Sequence, residues 1–264
     1  MSGRGLTHAP TPMYATGKQR VQSPAVCGIL QKKEGPVMFE GFSEATFDFL
    51  WGIRFQNEKA WFEAHREEYR AHVAAPMNAL ASQVYAAMEK TCSKYGLRCK
   101  VSRIYRDARR LRGRGPYRDS LWFSLEKPCE DWTHTPVFWF ELSPETFTYG
   151  LGYYQARPAT MAKLRARMDT DPKPMETLAR RLNRRPEFVL DGETYKRPKG
   201  EGRSRLLQPW YQKKSFSIYH QETVSAAALY TPALADRLVE AFQFLLPFYD
   251  YFSTLDGDPD PRGE

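Results

Sequence analysis

The sequence predicts an α+β fold, a mainly antiparallel sheet of about five to six strands flanked by N-terminal and C-terminal helices. Three observations carry this. Apolar residues recur at helical spacing near both ends of the chain, they alternate with period two through its middle, and short Pro/Asp/Ser turns separate several of the alternating runs. With 264 residues, 42% apolar and 14% aromatic, the chain can fill a core and is not globally disordered.

Taken in order, residues 1–37 lack sustained periodicity and hold Pro10, Pro12, Pro24 and Pro36. They read as a disordered extension or a misplaced start, with Met38 opening a single α+β domain over 38–253 and a disordered tail over 254–264. Ser43 is placed to cap a helix carrying Phe47, Phe49 and Leu50. Asn57 opens a second with Trp61, Phe62, His65 and Tyr69 at helical spacing, and Pro76 begins a third through Leu80, Val84 and Met88. Alternation then marks strands at 101–105, 121–125, 137–142 and 146–154, the last two joined by the hairpin turn Ser143-Pro144-Glu145. Helices follow from Arg157-Pro158 (Met161, Leu164, Met168) and from Pro174 (Leu178, Leu182). Short strands are expected at 188–190 and 215–221, with a polar loop over 191–205 between them. Thr231-Pro232 starts a final helix bearing Leu234, Leu238, Phe242 and Leu245, which Pro247 interrupts.

Several function classes lack their signatures. No apolar run approaches the roughly 20 residues of a membrane span, so no membrane partner is expected and the location reads as cytoplasmic. Cys27, Cys92, Cys99 and Cys129 form no CxxC pair and read as bystander thiols in a reducing compartment. His65 and His72 share a helix face but stand about 10 Å apart, too far for one metal ion, so no metal and no cofactor are expected. Nucleophile elbow, Walker loop, dinucleotide fingerprint and HExxH are absent.

The net charge is +8, and its distribution is uneven. Residues 98–118, RCKVSRIYRDARRLRGRGPYR, hold nine Lys or Arg and one acid, Asp107. Such a run repels itself unless solvent or an anion screens it, and Gly113, Gly115 and Pro116 force it to turn. Alternation puts Arg103 and Tyr105 on one face and Ile104 and Arg106 on the other. Arg106 then needs a carboxylate, with Glu141 and Asp107 as candidates, or an anionic ligand.

The order of motifs resembles the domain-of-unknown-function 2461 family of conserved hypothetical proteins. The resemblance covers about residues 39–250. It rests on Trp61-Phe62 with Tyr69, then Arg103, Arg106, Asp107 and Arg109 leading to Pro116-Tyr117-Arg118. It continues with Gly150 and Gly152 on an aromatic strand, Arg165 on a helix, and the turn Arg197-Pro198-Lys199-Gly200. Arg110 stands where the family usually has Phe, Gly113-Arg114 where it has an Asp-Lys pair, and Glu201 to Arg205 replace an acidic-His-Pro segment. The resemblance implies one compact domain and supplies no activity.

From these residues the expected function is binding of a small phosphate- or carboxylate-bearing ligand in a basic cleft. Arg106, Arg109, Arg114, Arg118 and Lys199 contact the anion and Tyr117 orients it. Gly150 and Gly152 leave a trough for a ligand or a crossing element, and Arg165 joins the set through the resemblance. Two rivals stand beside it. The 98–118 segment with Tyr105 and Trp122 could track a single-stranded nucleic acid, or Asp107 could serve as a base on a bound phosphate ester, its other role being a salt-bridge anchor.

Overall fold

A computed structural model describes residues 38–263 except 108, 110, 112, 114, 130 and 131. The expected extension over 1–37 and the candidate ligand residue Arg114 lie outside the described residues. The helices are α1 (Glu44–Phe55), α2 (Lys59–Ala64), the single turn α3 (Arg66–Glu68), which runs through a π-helical turn (Tyr69–Ala74) into α4 (Ala75–Cys92), then α5 (Pro158–Thr170), α6 (Lys173–Asn183), α7 (Gln208–Tyr211) and α8 (Ala233–Ser253). The strands are β1 (Arg98–Val101), β2 (Leu121–Glu126), β3 (Pro136–Leu142), β4 (Thr146–Tyr153), β5 (Val189–Asp191) and β6 (Ser217–Thr223). They form one antiparallel sheet in the order β1-β2-β3-β4-β6-β5, as the alternating pattern predicts.

Register sorts the side chains. Leu121, Phe123 and Leu125 pair across the sheet with Leu142, Phe140 and Phe138, and these in turn with Phe147, Tyr149 and Leu151. All are buried on the face covered by α4 and α8. Rings interlock across that boundary: Phe138 lies 5.2 Å from Phe242 and 5.1 Å from Tyr249, centroid to centroid. Each such side chain contributes on the order of 1.5–3 kcal/mol when fully buried. The opposite face carries Trp122, Trp139 and Tyr219, which are half-buried and stand outside the hydrophobic core.

Three expectations need correction. The first strand is Arg98–Val101, not 101–105; beyond it the backbone bends, and Tyr105 pairs with Tyr117 in a lone bridge. Pro247 does not break the last helix, which runs through it to Ser253. Losing the proline's hydrogen bond costs about 3 kcal/mol, which burial of Phe248, Tyr249 and Phe252 on the far side outweighs. Residues 254–264, read as a tail, begin with a turn docked on α5. Leu255 is fully buried, Arg167 forks onto Asp258 with two contacts of 2.7 Å, and Lys163 donates to the Asp256 carbonyl at 2.9 Å. Among the described residues no helix is long and apolar enough to cross a membrane.

A polar strut ties the sheet to α8. His220 bonds the Glu187 carbonyl through Nδ1 at 2.8 Å, and Glu222 accepts from both His220 Nε2 and Arg237. Burial alone pushes the Glu222 carboxyl up; the Arg237 and His220 hydrogen bonds outweigh it and hold the group below its ordinary 4.5. A depressed carboxylate contributes stability that is complete above the ordinary value and is lost as pH falls through the lower folded one. The urea midpoint of the native chain is therefore expected to fall between about pH 5 and about pH 3 by more than that of Glu222→Gln; equal slopes in the two proteins would rule out this coupling.

Candidate functional site

The basic 98–118 segment is largely a structural turn. Arg106 N–H donates to the Pro116 carbonyl at 2.8 Å and Arg118 N–H to that of Ile104 at 2.7 Å, closing the loop between them. A side chain from the far end of α1 holds it: Asn57 accepts from Tyr117 N–H at 2.9 Å and donates to the Tyr117 carbonyl at 3.0 Å. Asn57 thus acts like a strand edge rather than opening a helix. Gly115 is required beside it, because a Cβ there would stand 2.1 Å from Asn57 Oδ1.

The predicted ligand residues of this segment are mostly committed to the protein itself. Arg106 does not reach Glu141 or Asp107; its guanidinium donates to the Tyr117 carbonyl at 2.6 Å and to Asp119 at 3.2 Å. The reason is that the strand ends at Val101, so alternation no longer dictates where Arg106 points. Asp119 also holds Arg54 at 2.6 Å, so one carboxylate joins α1 to the turn. Asp107 accepts from the backbone N–H, Nε and Nη2 of Arg109, all within 3.1 Å, the geometry of an anchor. Tyr117 is only 3% exposed, its ring stacked on Phe62 at 4.3 Å. Its ring is a core element rather than an orienting group at a surface cleft, and burial pushes its hydroxyl up.

Gly150 and Gly152 serve packing. A Cβ on Gly150 would meet the Ile218 carbonyl oxygen at 2.1 Å, and one on Gly152 the Ser217 hydroxyl at 2.3 Å. Trp139 and Tyr219, the partners of Gly150 on either side, close over it with ring centroids 6.4 Å apart. No open trough remains at Gly150.

Arg165 and Lys199, separated by 34 positions in the chain, do meet. Both lie against Tyr195 in the loop that follows β5. Arg165 Cζ stands 5.3 Å, Lys199 Nζ 5.0 Å and Lys214 Nζ 5.7 Å from the centre of that ring. The loop is fastened on both sides. Tyr195 N–H donates to the Gln212 carbonyl at 2.9 Å, and Gln212 Nε2 to that of Lys199 at 2.6 Å. Asp169, near the end of α5, takes Tyr211 at 2.7 Å and Arg203 at 2.8 Å. Among the described residues, Lys214 is the one of the three cations with a carboxylate, Glu193. Arg165 Nη1 is buried without a hydrogen-bond partner.

The single cleft expected from the sequence therefore divides. Arg106, Arg109 and Arg118 belong to the turn beside β1 and β2, whereas Tyr195 follows β5 at the other edge of the sheet. Tyr195 and Lys214 were not anticipated; the one signal was an aromatic residue inside a Lys/Arg-rich loop. Asn57→Ala is expected to cost on the order of 2–3 kcal/mol by stranding both backbone groups of Tyr117. Gly150→Ala is expected to cost about 1–3 kcal/mol by overpacking the β4–β6 pair. Urea unfolding reads both, and values near zero would refute the assigned contacts.

No curated protein matches this chain. Residues 45–251, well over half of it, match the family model described as "Conserved hypothetical protein (DUF2461)", and the chain belongs to that family.

Proposed function

We propose that this protein binds a small phosphate- or carboxylate-bearing ligand, and that the anion sits at Tyr195 among Arg165, Lys199 and Lys214. The observation that carries the reading is the convergence of three cations within 6 Å of one phenol ring, with one carboxylate between them. Cations gathered around one ring leave a local excess of positive charge, and a buried N–H left unpaired, such as Arg165 Nη1, costs about 1–3 kcal/mol. A bound anion relieves both. Arginine suits the role through its planar fork, lysine as a mobile point charge. The cytoplasmic setting we infer accords with the unpaired thiols of Cys92, Cys99 and Cys129.

A nucleic-acid reading retains one specific support: Tyr105 is 50% exposed next to the exposed Arg103 in the basic turn. The two readings differ in residues and in salt response. For the small anion, phosphate or malonate at low salt is expected to raise the melting temperature by mass action. Arg165→Gln and Lys199→Ala are each expected to weaken that effect by roughly tenfold or more, the value of a charge-assisted bond. For a single strand, affinity falls with a log–log salt slope near −0.7 per phosphate contact and depends on Arg103 rather than Arg165. A folded Arg165→Gln protein that binds phosphate and malonate as the native chain does would remove the Tyr195 site.

A further inference from the structure

The outer face of the sheet holds a second group of polar side chains with unused bonding capacity. Register aligns Trp122, Glu141, Thr148 and Gln221 in one row across β2, β3, β4 and β6. At about 4.8 Å between neighbouring strands the row is ~14 Å long, and its first three members, Trp122 to Thr148, span ~10 Å. Arg118 stands at its β2 end, its guanidinium 4.6 Å from the centre of the Trp122 ring.

Every member of the row can take a polar partner that the described residues do not supply. The Arg118 guanidinium is half-buried yet donates no hydrogen bond and forms no ion pair among the described residues; burial, and then the neighbouring Arg106, hold its pKa below the ordinary arginine value against the opposing pull of Tyr154 and Glu141. Glu141 accepts one bond, from Ser120 at 2.9 Å, and burial pushes its carboxyl up. A carboxylate offers about four acceptor sites, so most of its capacity remains. The Thr148 hydroxyl and the Gln221 amide likewise have no side-chain hydrogen bond among the described residues. Trp122, along the same line, offers flat apolar surface with a polar N–H.

The chemistry this row would recognise has three parts. An acid group satisfies the Arg118 fork. Hydroxyls donate to Glu141 and exchange bonds with Thr148. A compact C–H surface lies on indole. We infer that the outer sheet face binds a hydroxyl-rich acid of the sugar-acid class, with its carboxylate on Arg118 and its hydroxyls on Glu141 and Thr148. A long nucleic acid fits less well: a single carboxylate can stay at the Arg118 end, whereas a phosphate backbone would run on past Glu141, whose carboxylate repels it. The site is separate from Tyr195, which follows the edge strand β5, so the two proposals fail independently.

Calorimetric titration of the full chain with D-glucuronate tests it, with D-glucose and acetate as probes that each lack one half of the pattern. The expected result is binding of glucuronate, with glucose and acetate each at least about tenfold weaker, the loss of one charge-assisted bond or of several neutral ones. Arg118→Gln is expected to weaken glucuronate by roughly tenfold or more, and Thr148→Val, which keeps shape and strand preference, by roughly threefold. Arg165→Gln leaves it unchanged. The inference is overturned if glucuronate gives no saturable heat, if acetate binds as well as glucuronate, or if folded Thr148→Val and Arg118→Gln proteins bind it like the native chain. Should Arg118→Gln not fold, Thr148→Val alone decides.

Discussion

A sheet packed by long helices on one side governs everything else in this protein. With α4 and α8 against one face, the pleat sends Phe123, Phe138, Phe140 and Phe147 into the core. It sends Trp122, Trp139, Glu141 and Thr148 the other way. The period-two rule thus creates two surfaces from the same strands, one apolar and closed, the other aromatic and polar. Gly150 and Gly152 belong to the second surface, where the lack of side chains lets β4 and β6 approach and lets Trp139 meet Tyr219 across the gap. The edges of the sheet hold the two cation-rich loops, and the four strands between them keep those loops apart.

The charge excess reads differently once partners are known. The densest basic run is neutralised in part from within: Asp119 takes Arg54 and Arg106, and Asp107 takes Arg109. At β1, Arg98 lies 2.9 Å and Lys100 3.8 Å from the fully buried Glu126. Density of charge in the sequence therefore marks a place where many ion pairs are built. Arg118, Arg165 and Lys199, which form no ion pair among the described residues, stand at the end of that run or outside it.

Much of the fold was legible because it depends on local pattern. Alternating aromatic residues located β2, β3 and β4 to within a residue or two, and Ser143-Pro144-Glu145 gave their hairpin. Ser43 and Pro158 marked helix starts correctly. Pro247 misled because a local penalty was set against burial that only the tertiary structure reveals. The sites were less legible for the same reason. That Arg106 turns to Asp119 follows from where β1 ends, and that Arg165 meets Lys199 follows from Asp169 tying the loop to α5. Neither distance is encoded in spacing. The resemblance named Arg165 and Lys199 together, but only the folded loop shows the ring between them.

Asn57 has a consequence for how the chain becomes structured. The two backbone groups of Tyr117 are satisfied by a side chain 60 positions upstream, just past the end of α1, and Arg54, in the last turn of that helix, is held by Asp119 just beyond Tyr117. Among the described residues, the two arms of this turn meet each other at the Tyr105–Tyr117 bridge. Closing a loop of that length is entropically uphill until its contacts form, so the basic turn and the end of α1 stabilise each other. Proteins that rely on such distant pairings fold more slowly than those built from neighbours.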